Sequence, residues 1–285
     1  MDSLGFRKFL NQIMKVISLL GLLLALAVLL TLVLDLFQRG GSRLDAEFMM
    51  NFPSRRAERA GILSAWVGTL CVMVITAILT VLVGISAALY LEEYAPKNRL
   101  TRFVELNILN LAAMPSILYG LLALGFLVHK LSLGSSLLTA GLTLSLLVLP
   151  IVIVSSREAL RSLPHSLKEA SYALGATRFQ TLVHYQLPSA LSGMMTGVIL
   201  ALSRAVGETA PLITIGALTY IAFLPKSLMD PFTVLPIQLF NWLSRPQEEF
   251  HTNAAAAGLV LLGLTFLLNA VAIVIRIRVR RSLKW

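Results

Sequence analysis

Charge is scarce in this sequence, and negative charge scarcer still. Asp and Glu total 14 against 24 Lys and Arg, and charged side chains make up 13% of 285 residues, about half the share of an ordinary soluble domain. Hydrophobic residues reach 57%, and the mean hydropathy is +0.82. So few polar groups cannot cover so much apolar surface in water, which excludes a water-soluble enzyme and points to lipid as the solvent. A single cysteine, Cys71, excludes an intramolecular disulfide and a cysteine-based metal cluster. His129, His165, His184 and His251 show no metal-ligand spacing. No G-x-x-x-x-G-K-[ST] string is present to cradle nucleotide phosphates. The net charge of +10 belongs, in a membrane chain, to cytoplasmic loops rather than to nucleic acid.

What the sequence has in quantity is long uncharged runs. A spanning helix needs about 20 apolar residues, and five runs qualify: Val16 to Leu34, Ala60 to Leu91, Leu106 to Val128, Leu131 to Ser156 and Thr252 to Ile275. A sixth crossing is expected at about Ala190 to Thr214, interrupted by Arg204 and Glu208. The first run exceeds the apolar part of a secretory signal, and no small-x-small site follows it, so it is expected to stay as an anchor. With the amino terminus inside, 15 Lys and Arg fall on the inner side and 8 on the outer. That bias sets the orientation, with both termini cytoplasmic. Seven crossings would push the basic tail outside. The expected fold is all-α, a polytopic membrane protein of six helices forming one domain over residues 1–285. The first outer loop, with Arg39, Arg43, Arg55, Arg56 and Arg59, runs against the bias. Trp66 and Trp242 are expected to anchor at the membrane interfaces, and Arg157 to snorkel from the inner end of the fourth span.

The longest inner polar stretch, Arg157 to Tyr185, reads as two short helices. Pro164 suits a first turn with Ser162 as cap, and Gly175 suits the left-handed position that ends a helix. Within it Glu169-Ala170-Ser171, then Gly175, then Leu187-Pro188 resemble the E-A-A-x3-G-x9-I-x-L-P signature of ABC importer permeases. Ser171 and Tyr185 depart from that pattern. The resemblance implies that a coupling loop at about residues 157–188 docks a separate ATPase subunit, with Glu169, Ala170, Gly175, Leu187 and Pro188 in that role. A capped amphipathic helix lying on the membrane surface is the plainer alternative.

Arg204 and Glu208, in LSRAVGETAPL from Leu202 to Leu212, are spaced to share one helix face and pair. An arginine at mid-bilayer costs about 2.5 to 3.5 kcal/mol, which makes it a functional hypothesis by default. Ser203 and Thr209 add hydroxyls nearby, and a structural ion pair is the alternative. The string, preceded by Thr196-Gly197-Val198-Ile199-Leu200-Ala201, resembles the permease subunits of phosphate ABC importers. Residues 52–62 and 88–95 resemble the same family's P-S-R-R-P-E-E-A-G-I and A-I-Y-L-E-E-Y-A segments, with Ala57 and Arg59 departing in the first. Sulfate and molybdate permeases share the R-A-x-G-E core without the T-A-P-L continuation.

The resemblance implies an anion path beside Arg204, Glu208, Thr209 and Ser203. It implies as partners a similar permease, two ATPase subunits, an external phosphate-binding protein and inorganic phosphate. The chain itself would bind no cofactor and no metal, with ATP and Mg held by the partner ATPase. A secondary carrier would show interrupted helices in corresponding halves, and a membrane-embedded enzyme would need a nucleophile or metal constellation; neither is visible.

Overall fold

The computed structural model describes residues 3–282 apart from Thr219, with side chains described over residues 6–278. The basic tail beyond Ser282, including Lys284, lies outside the described residues. Long apolar segments become helices because lipid offers backbone groups no partners and a helix satisfies them internally. The first is α1 (Ser3–Gly40), followed by the short outer helix α2 (Ala46–Met50). The second is α3 (Leu63–Leu89), which continues through a widened π turn, Tyr90–Tyr94. No strand forms among the described residues; Ser136 and Pro231 make one isolated bridge.

The third apolar run is not the single straight crossing that its lack of charge predicts. Helices α4 (Arg99–Ala112) and α5 (Ser116–Ala123, prolonged by a π turn to Lys130) meet at 107°. Pro115 causes the break: it has no N–H to donate, and it forces Met114 before it out of the helical region. Tyr119 braces the bend by donating its hydroxyl to the Leu111 carbonyl at 2.8 Å.

The fourth crossing, α6 (Leu137–Arg161), is the centre of the molecule and the most buried of the spans. It packs on α3 and on α9 (Leu187–Val206) at small residues. Gly141 faces Ile75, and Gly197 faces Ser155, each so closely that a Cβ would collide. Where lipid tails are as apolar as leucine, such close packing is what holds helices together. Between α6 and α9 lie the inner helices α7 (His165–Ala173) and α8 (Arg178–Thr181).

The expected crossing at Ala190 to Thr214 is displaced. Its helix starts at Arg178, passes through a π turn at Leu182–Gln186 where Pro188 cannot donate to the His184 carbonyl, and stops at Val206. The chain then runs through α10 (Ala210–Thr214), an irregular outer segment, and α11 (Leu235–Leu243), before α12 (Glu248–Ser282) crosses back. The irregular segment is held to its neighbours: Leu137 donates to the Asp230 carbonyl, and Leu235 donates to the Thr69 hydroxyl. The Asp230 carboxylate accepts from the backbone N–H groups of Lys226 and Ser227, which hold its pKa below the usual aspartate value.

Five helices are long and apolar enough to cross a membrane, and there are six crossings if the bent α4–α5 pair is counted as one span. The outer arginine excess resolves in part. Arg43 reaches the carbonyls of Ala57, Glu58 and Ala60 and the side chain of Asn253, with its guanidinium 5.5 Å from the Phe48 ring centroid. It clips the outer loop to α12, while Arg39 pairs with Asp35 at 2.9 Å. Trp242 is no interfacial anchor: it is fully buried between Phe48 and Phe250.

Candidate functional site

Two places carry the residues singled out in the sequence, one at the inner surface and one halfway through the membrane. At the inner surface α7 and α8 form the expected pair of short helices. Gly175 takes φ +84°, and the N–H groups of Gly175 and Ala176 return to the carbonyls of Tyr172 and Ser171, closing α7. Open space surrounds Gly175, so its backbone angle, rather than crowding, requires glycine. Ser162 does not cap α7; its hydroxyl bonds the Ala159 carbonyl, and Pro164 occupies the capping position. The start of α8 carries a capping box between Thr177 and Gln180 that the sequence pattern T-x-x-Q would have disclosed. Ser171 bonds Thr181 across the turn at 2.9 Å. Glu169 and Ala170 are exposed, as are Leu174 (89%) and Phe179 (65%). Leu187 and Pro188 are half-buried at the start of α9.

Arg157 does not snorkel. Its side chain is 10% exposed and lies between two carboxylates, Glu92 at 3.2 Å and Glu105 at 2.5 Å. Arg161 shares Glu92 at 3.0 Å. Glu93 binds Lys168 of α7 and accepts from the Gln186 amide at 2.8 Å. A charged layer therefore ties the inner ends of α3, α4 and α6 to the α7–α8 loop.

At mid-membrane, α9 ends beside the middle of α6: Val198, Ala201, Ala205 and Val206 cluster with Leu147, Val148, Val152 and Tyr119. Arg204 occupies the last turn of α9, where a cation suits the negative end of the helix. Its Nε donates to Glu208 at 3.2 Å. The pair forms as the spacing predicts, but Glu208 lies past the helix end, in the break that begins at Gly207. The Arg204 side chain is 41% exposed and that of Glu208 16%. Thr209 sits beside them, its hydroxyl on the Gly207 carbonyl at 3.4 Å. Ser203 turns away, bonding Asn269 of α12 at 2.6 Å. The structure thus groups Arg204, Glu208 and Thr209 and leaves Ser203 at a helix interface.

A broken helix that exposes an arginine at mid-depth is tolerated only where it faces protein or water. Residues 80–283 match the family model described as "Binding-protein-dependent transport system inner membrane component". The chain belongs to that family. It is an ABC importer permease subunit and a multi-pass membrane protein.

Among relatives of this permease, the "Phosphate transport system permease protein PstA" of Yersinia pestis is 33% identical over 277 residues, covering 95% of this chain and 91% of the relative. The "Probable ABC transporter permease protein YqgI" of Bacillus subtilis (strain 168) is 30% identical, covering 87% and 90%. Among solved structures, a bacterial alginate ABC transporter in complex with its alginate-bound periplasmic protein contains a chain with a TM-score of 0.65 at 13% identity, covering 96% of each chain. A chain of the MetNI methionine ABC transporter in an inward-facing conformation gives 0.59 at 20% identity, covering 76% of this permease and 94% of that chain. These two likenesses show the fold.

Proposed function

We propose that this permease moves inorganic phosphate through an ATP-driven importer of the cell's inner membrane, as one half of a translocation path built with a similar partner permease. The exposed Arg204 carries the reading. Its cost at mid-bilayer is acceptable only where a partner subunit and a water-filled path cover the open face. Arginine is a permanent cation with directional donors suited to a phosphate oxyanion. Glu208 on the other side of the guanidinium tempers the attraction, so that the anion leaves as readily as it enters. Relatives named as phosphate permeases support phosphate over other oxyanions, as does the T-A-P-L continuation from Thr209 to Leu212.

Transport then needs a motor, and the exposed apolar side chains of Leu174 and Phe179, beside Glu169 and Ala170, offer it a docking face. Two ATPase subunits with ATP and Mg supply the energy, an external phosphate-binding protein delivers the anion, and this chain binds no cofactor or metal of its own. The test is uptake of radiolabelled phosphate into vesicles carrying the assembled complex, with sulfate and molybdate as competitors. The reading predicts ATP-dependent phosphate uptake that a hundredfold excess of either competitor leaves intact; preferential sulfate or molybdate uptake would replace phosphate as the cargo.

A further inference from the structure

Between the α7–α8 loop and the inner end of α3 lies a cavity of about 640 Å3 with a mixed polar and apolar wall, on which side-chain donors outnumber the carboxylates. Its two carboxylates are already occupied, Glu92 by Arg157 and Arg161 and Glu93 by Lys168 and Gln186. Three further cationic or protonatable groups on the wall, Lys97, His165 and Arg178, have no hydrogen-bond or ion-pair partner among the described residues. The hydroxyls of Tyr172 and Tyr185 on the same wall are likewise unpartnered. Gln186, 4% exposed, spends its amide N–H on Glu93 and so contributes no free donor to the wall. Tyr185 stands where the permease signature carries an apolar residue, and it brings a hydroxyl to this wall.

We infer that this cavity is a cytoplasmic binding site for a phosphate group, distinct from the path at Arg204. Spent carboxylates and unspent Lys97, Arg178, Tyr172 and Tyr185 leave an excess of donors around a space large enough for a phosphate with its water shell. Two sources offer that chemistry: inorganic phosphate in the cytoplasm, and the headgroup of an anionic lipid at the inner interface. Either would bridge the inner end of α3 to the docking loop, and so would bear on how firmly that loop is held.

The test uses the full complex with its ATPase, without the external binding protein, and with Arg204→Gln so that the transport path does not contribute. In phosphatidylcholine nanodiscs, radiolabelled inorganic phosphate should bind saturably, and binding should weaken at least tenfold on adding Arg178→Gln or Tyr185→Ile. In nanodiscs containing phosphatidylglycerol, native mass spectrometry counts retained anionic lipid, and the same changes should remove it. Lys97→Gln, outside the docking loop, serves as the third variant should the other two fail to assemble. A variant-sensitive signal in the first arm assigns the site to free phosphate, and in the second to a lipid headgroup. No variant-sensitive signal in either arm from assembled complex overturns the site. So does binding to the isolated permease that vanishes with the ATPase present, because the cavity would then belong to the docked subunit. The cargo reading of Arg204 fails separately, in uptake, and leaves this outcome untouched.

Discussion

Arg157 shows how far one side chain's environment departs from its sequence neighbourhood. Flanked by Ser156 and Glu158 at the end of an apolar run, it reads as a cation escaping to the interface, yet it is enclosed by carboxylates from two other helices. Glu92 and Glu105 lie 65 and 52 positions away, a distance over which no local pattern gives warning. Removing Arg157 leaves Glu105 charged, partly buried and unpaired, while Glu92 keeps Arg161. Arg157→Gln should therefore destabilise the permease toward the lower end of about 3–5 kcal/mol, since Glu105 keeps some contact with water. Thermal unfolding of the detergent-solubilised chain checks this, and an unchanged midpoint would mean that the carboxylates are solvated after all. Trp242 was opaque for the same reason: its partners, Phe48 and Phe250, are supplied by segments that hydropathy places in loops.

Elements whose ends are written by residue type were legible. Gly175 announced the left-handed end of α7 and takes φ +84°. Because nothing crowds the position, substitutions there should follow backbone preference rather than size. Gly175→Ala should cost roughly 1–2 kcal/mol of local strain and loosen ATPase association, while Gly175→Asn, which tolerates this backbone region, should restore most of it. Subunit co-purification measures both; equal loss with Ala and Asn would show that the partner's approach, not the angle, sets the requirement. The bend between α4 and α5 was less legible. Pro115 interrupts the backbone there, but the uncharged run from Leu106 to Val128 continues straight across it, so hydropathy does not show the bend. The end of α9 is hidden in the same way: Gly207 and Pro211 mark the break, while the apolar pattern runs on past it to Thr214.

At the scale of the whole molecule, composition points to a membrane fold and the uncharged runs to most of its crossings, because lipid permits so few alternatives. The functional site was half legible. Spacing paired Arg204 with Glu208, and the structure adds what spacing cannot: the helix stops there, at the depth of the middle of α6, with the guanidinium open on one side. Ser203, one residue away, is turned by the helical period onto Asn269 instead. An arginine held purely to lock packing should be enclosed, as Arg157 is; Arg204 is the contrasting case. The most direct measurement is phosphate uptake per assembled complex for Arg204→Gln. The account predicts at least a hundredfold fall with membrane insertion and ATPase association intact; uptake close to that of the unaltered complex would remove Arg204 from the path and the central claim with it.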